Sequence, residues 1–137
     1  MLCRKGSSRR GVAATEMAVL LPVLVVLFVI AIDWSRIFYY SLTINNCARN
    51  GALWASDPYG ITKSSYPDMT TAALADAGNI QPTPTVTSNT GVDADGRNYV
   101  ECTVTYNFQT VTNLPLVPST TTLTRTIRAY SSPQVPN

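Results

Sequence analysis

The stretch VAATEMAVLLPVLVVLFVIAI, from Val12 to Ile32, decides the architecture of this 137-residue chain. Its twenty-one residues carry a single charge, Glu16. Coiled into a helix at about 1.5 Å per residue they reach ~31 Å, the thickness of a bilayer's hydrocarbon core. A cleaved secretory signal has a shorter apolar core, followed by a small-x-small site. Here Ile32-Asp33-Trp34-Ser35-Arg36 follows, which is a poor context for such cleavage. The stretch therefore predicts one transmembrane helix.

Upstream of it, Arg4, Lys5, Arg9 and Arg10 stand with no acid among them. By the positive-inside rule this leader stays in the cytoplasm and everything past Ile32 lies outside. Trp34, Phe38, Tyr39 and Tyr40 follow the apolar run, where amphipathic rings settle at the lipid–water interface. Cys3 precedes the apolar run, the wrong side for a lipidated cysteine.

Past residue 11 the balance reverses. Of ten Lys and Arg, four lie in the leader, so six face eight acids and the remainder is at about −2. A nucleic-acid binder would carry its basic patch on the folded part, so no nucleic-acid partner is expected. The chain has no histidine, which removes the usual zinc sites, Ser-His-Asp triads and imidazole bases. No Gly-rich phosphate loop and no cluster of carboxylates is found. Asp93-Ala94-Asp95-Gly96 opens like a calcium loop, but lacks the further ligands and closing glutamate, and reads as a turn. No metal, cofactor, small-molecule substrate or enzymatic activity is expected.

The helix should not stop at the membrane surface. Ile37, Tyr40, Ile44, Cys47, Ala48, Gly51 and Ala55 recur at spacings of three and four, and Asp57-Pro58-Tyr59-Gly60 then supplies turn chemistry. A helix over 12–56 would be ~67 Å long. Its outer half would offer an apolar stripe to something soluble.

Beyond it, 57–68 reads as loop, and Pro67 opens a short helix over Met69–Ala77 that Gly78 stops. Composition then shifts to Thr, Val and Tyr, which suit strands. The clearest strand is Tyr99–Phe108, with Val100, Cys102, Val104, Tyr106 and Phe108 on one face and Glu101, Thr103, Thr105 and Asn107 on the other. A second, Thr120–Tyr130, puts Leu123, Ile127 and Ala129 on one face, with Arg125 breaking the pattern. A weaker one over Gln81–Ser88 is confined to an edge by Pro82 and Pro84. Gly91–Arg97 is read as a turn and Asn113–Ser119 as a loop.

Three strands bury little by themselves, and the helical stripe is their natural partner. The expected fold is α+β: a long N-terminal transmembrane helix that continues outside and packs on a small antiparallel sheet. Residues 1–11 form the leader, 12–56 the helical spine and 57–137 the outer β-rich domain. Cys47 on the stripe and Cys102 on the inward strand face then point to the same core, as a disulfide or as two free thiols.

Glu16 costs on the order of 3 kcal/mol to place in a membrane helix unless it reaches the interface or finds a partner. Its setting matters: Arg9-Arg10-Gly11, then Thr15-Glu16-Met17-Ala18, then Leu20-Leu21-Pro22, and later Asn46-Cys47-Ala48-Arg49-Asn50-Gly51-Ala52. These two blocks, within about residues 9–56, resemble the TadE-like family of pseudopilins from the tight-adherence pilus system. The resemblance implies that a prepilin peptidase cuts between Gly11 and Val12, leaving Glu16 as the fifth residue of the mature chain. It also implies that Glu16 sets the register between subunits. The sequence departs from the family at Met17, usually aromatic, and at Asn50 and Leu53, usually Glu and Arg.

The chemistry of the residues agrees with that role. Cleavage would create an ammonium group at Val12, and Glu16 one turn away could neutralise it or a neighbour's. Pro22 removes one intrahelical hydrogen bond and is a candidate kink. The expected protein is a minor pilin-like subunit in the bacterial cytoplasmic membrane, single-pass, associating by its helix and either staying in the membrane or entering a pilus. Its partners would be membrane lipid, the prepilin peptidase and other pilus subunits. The rival is an unprocessed single-pass protein whose outer domain binds a wall component or a protein partner.

Overall fold

The computed structural model describes residues 8–110 and 119–131, without the side chains of residues 8–10 and 60. The residues 1–7 of the leader, and all but Ser119 of the loop expected over Asn113–Ser119, lie outside that range.

Helix α1 runs Ser8–Ser56, 49 residues in one helix that passes through Pro22. At about 1.5 Å per residue it is ~74 Å long. It starts four residues before the expected Val12, because Ser8, Arg9 and Arg10 carry nothing that breaks a helix and Gly11 is tolerated inside one. It ends where the turn residues require. Asp57 leaves helical geometry and accepts the Tyr59 N–H at 2.9 Å, and Pro58 opens α2, Pro58–Lys63. The stretch 57–68 thus holds a short helix that the loop reading had not resolved.

Asp68 caps α3, Met69–Leu74, accepting from the Thr71 N–H at 2.7 Å, and a 3-10 turn over Ala75–Ala77 completes it. Three strands follow: β1 Thr85–Val92, β2 Asn98–Gln109 and β3 Thr120–Tyr130. They form one antiparallel sheet in the order β1-β2-β3. The edge strand begins at Thr85 rather than at Gln81, since Pro82 and Pro84 have no N–H to give a ladder. It continues through Gly91 and Val92, so the turn shrinks to Asp93–Arg97.

Register places Val86 opposite Val104, Cys102 opposite Ile127 and Tyr106 opposite Leu123 on the inner face. That face closes on the outer half of α1. Ile37, Ile44, Cys47, Ala48 and Ala52 of α1, Ala73 and Ala77, and Cys102, Val104, Tyr106, Phe108 and Leu123 form one buried cluster. Tyr40 meets Phe108 and Tyr106 at ring-centroid distances of 5.3 and 5.4 Å. Further out, Gly51 meets Cys102. Eleven helical residues from Tyr40 cover roughly 17 Å and six strand residues from Phe108 roughly 20 Å, so β2 runs nearly along α1 in the opposite direction. The expected α+β architecture is what the structure shows. The opposite face carries Thr85, Thr87, Thr103, Thr105, Thr122, Thr124 and Thr126, polar and turned away from the helix.

The inner half of α1 has no such partner. Every residue over 11–28 is exposed, Phe28 at 69%. Among the described residues this is the one helix long and apolar enough to cross a membrane, and none of its most apolar window is buried. Apolar surface of this extent needs lipid or another protein to cover it.

Candidate functional site

Gly11 and Val12 fall at the end of the first turn of α1, fully open to the surroundings. A β-carbon at Gly11 would meet nothing within 4 Å. The first four N–H groups of a helix have no partner inside it, so little holds this turn closed.

Glu16 sits one turn further, exposed, in a shallow hollow with Thr15, Val19 and Leu20. The Thr15 hydroxyl donates back to the Val12 carbonyl at 2.8 Å, which keeps it off the carboxylate. Among the described residues Glu16 makes no ion pair. Val12 and Glu16 are separated by about 6 Å of rise along one face, within reach of an ammonium–carboxylate contact. Pro22 lies between this site and the outer half of the helix, inside α1.

A second group of residues forms where α1 leaves the apolar run. Asp33 is 1% exposed, and the Arg36 guanidinium stands 3.6 Å from it and 5.1 Å from the Phe108 ring centroid. Sequence reasoning used this pair only to reject a cleavage site; the i,i+3 spacing of opposite charges just past a membrane span was the available signal. Tyr40 is turned to the sheet and is not an interface ring, whereas Phe38 and Tyr39 stay 64% and 63% exposed. Leu42, 67% exposed, continues their surface. Phe38 and Leu42 lie on the side of α1 away from the sheet, roughly 9 and 15 Å beyond Ile32 along the axis. Arg125, the residue that broke the strand pattern, reaches across to the Ser41 hydroxyl at 2.7 Å.

The second sequence block packs into the core of the outer domain. Cys47, Ala48, Gly51 and Ala52 are fully buried or nearly so, while Asn50 donates to the Asp76 carboxylate at 2.8 Å. Cys47 and Cys102 are both free thiols with no exposed surface. Burial, then the nearby Asp76 charge, raises the Cys47 thiol above its ordinary pKa, and burial raises Cys102.

In the Asp93–Arg97 turn, one Asp93 carboxylate oxygen accepts from the N–H groups of Asp95 and Arg97. The Arg97 guanidinium lies 3.3 Å from Asp93 and 3.1 Å from Asp95, so both acids are engaged locally. Among the described residues no group of three or more His, Cys, Asp or Glu is placed to hold a metal.

Residues 11–53, about a third of the chain, match the family model described as TadE-like protein. The resemblance drawn from the two sequence blocks is thereby borne out over that segment. No curated protein and no solved structure matches the chain. Over that segment the chain is similar to TadE-like proteins, and its uncovered apolar helix is long and apolar enough to anchor it in a membrane.

Proposed function

We propose that this chain is a minor pilin-like subunit of a bacterial tight-adherence pilus system, processed by a prepilin peptidase between Gly11 and Val12. It then works by association of α1 with other pilus subunits, and its role is structural. The observation that carries this reading is the coincidence, inside the matched segment 11–53, of an open leader junction and a membrane carboxylate one turn away. The new ammonium group at Val12 and Glu16, on the same chain or a neighbouring one, form a pair that offsets the cost of either charge in lipid. The basic leader places the N-terminus in the cytoplasm and the sheet outside. Phe38 and Leu42 supply an exposed apolar face just past the span, suited to a neighbouring helix.

The N-terminus of the chain isolated from membranes tests the reading. Val12 is expected as the first residue, and Gly11→Ala should leave a slower-migrating precursor when the peptidase is co-expressed. A chain that still begins at Met1 would instead be the unprocessed single-pass protein, whose outer domain binds a wall component or a protein partner.

A further inference from the structure

The pilin-like role makes no use of the two buried thiols, yet both lie in the core between spine and sheet. Cys47 and Gly51 lie one turn apart on the same face of α1, where side chains four apart have β-carbons about 5–6 Å from each other. The Cys102 sulfur rests against Gly51: a β-carbon there would sit 2.6 Å from it. Cys47 and Cys102 therefore lie near each other in the one buried cluster that also holds Ala48, Ala52 and Ala73, all without exposed surface.

We propose that Cys47 and Cys102 are joined by a disulfide in the mature protein, tying the membrane spine covalently to the sheet. This rests on the reading that the sheet lies outside the cytoplasm, where disulfides persist. As the S–S bond forms, the two thiols lose two protons and two electrons. These pass to the disulfide of a thiol–disulfide oxidoreductase, which leaves as a dithiol. In the closed core both thiols are inaccessible and kept protonated by desolvation. The bond therefore forms while the sheet is still closing on the helix, through a mixed disulfide. A three-stranded sheet on one helix is a small core, and a cross-link that closes a long loop restricts its unfolded chain most.

The test uses the full chain, made with its export route intact. Membranes are denatured without reductant, free thiols are blocked with light iodoacetamide, and heavy iodoacetamide is added after reduction. Heavy label alone at Cys47 and Cys102, with a linked peptide in the unreduced digest, is the expected result. Light label at both, or a link from either to Cys3 or to another chain, overturns the cross-link. Orientation is read separately. Thr87, exposed on the outer sheet face, is changed by Thr87→Cys in a Cys47→Ser, Cys102→Ser background. Intact cells are then treated with a membrane-impermeant maleimide. Labelling with free core thiols in the parent refutes the disulfide alone, whereas no labelling refutes the outside placement and the disulfide with it. Cys47→Ser alone should expose Cys102 to light label and lower the unreduced unfolding midpoint to that of the reduced parent.

Discussion

The Cys102 sulfur fills the space that a side chain at Gly51 would take. A β-carbon at Gly51 would lie 2.6 Å from that sulfur and 2.9 Å from the Ala73 β-carbon, closer than such atoms approach. Three elements, α1, α3 and β2, thus meet on one glycine, and the contact depends on the absence of a methyl group.

Gly51→Ala should therefore destabilise the outer domain. Alanine gains roughly 0.5–1 kcal/mol of helix propensity over glycine, but overpacking a dense core costs about 1–3 kcal/mol. The expected net loss is about 1 kcal/mol, read as a lower urea midpoint in detergent. Equal or greater stability would mean that helix and strand separate there without penalty.

The reduced protein should lose stability in alkali. Both thiols have folded pKa values raised by burial from the ordinary 9.0, so the unfolded chain releases these protons first. Stability is then fully present below the unfolded value and falls as pH rises through it toward the folded one. Burial, with the Tyr40 charge, raises Tyr106 as well, which acts in the same sense at higher pH. The urea midpoint, measured in reductant from about pH 7 to about pH 10, should fall toward the alkaline end. Cys47→Ala with Cys102→Ala should flatten the part of that fall near 9.0.

Glu16→Ala should insert and be cleaved at least as well as the parent, yet bind other pilus subunits about tenfold or more weakly, a loss of roughly 1.4 kcal/mol or more. Co-purification of the cleaved protein with those subunits reads the effect. If the carboxylate merely reaches the interface, Glu16→Gln will match the parent in membrane level and association alike. Full association by cleaved Glu16→Ala would remove the carboxylate from assembly.

Leu42→Ser separates folding from association. Leu42 is 67% exposed on the far side of α1, so its loss should move the unfolding midpoint by no more than about 0.5 kcal/mol. Cross-linking yield between neighbouring helices should nevertheless drop severalfold. An unchanged yield would show that the face beyond the membrane makes no subunit contact.

What the sequence alone determined is what depends on neighbours a few residues away. The run from Val12 to Ile32, with Glu16 its single charge, is long enough to span lipid whatever surrounds it. The three-four spacing of Ile37, Tyr40, Ile44 and Cys47, and the alternation from Val100 to Phe108, are local periods, so spine and central strand were legible with nearly correct ends. The short spacing from Gly11 to Glu16 within one helix is local in the same way.

The tertiary structure decided what depends on residues far apart in the chain. Arg125 looks like a fault in its strand until Ser41, 84 positions away, receives its guanidinium. Asp33 enters the sequence reading only as part of a poor cleavage context, yet beside Arg36, which lies over the Phe108 ring, it is buried. The edge strand slid from Gln81 to Thr85 because pairing with β2 needs N–H groups that the prolines lack. Gly51 passes in the sequence as one small residue on a helical stripe. Only the packing of α3 and β2 against it makes it the residue on which the core closes, because steric fit is a property of surfaces brought together by folding.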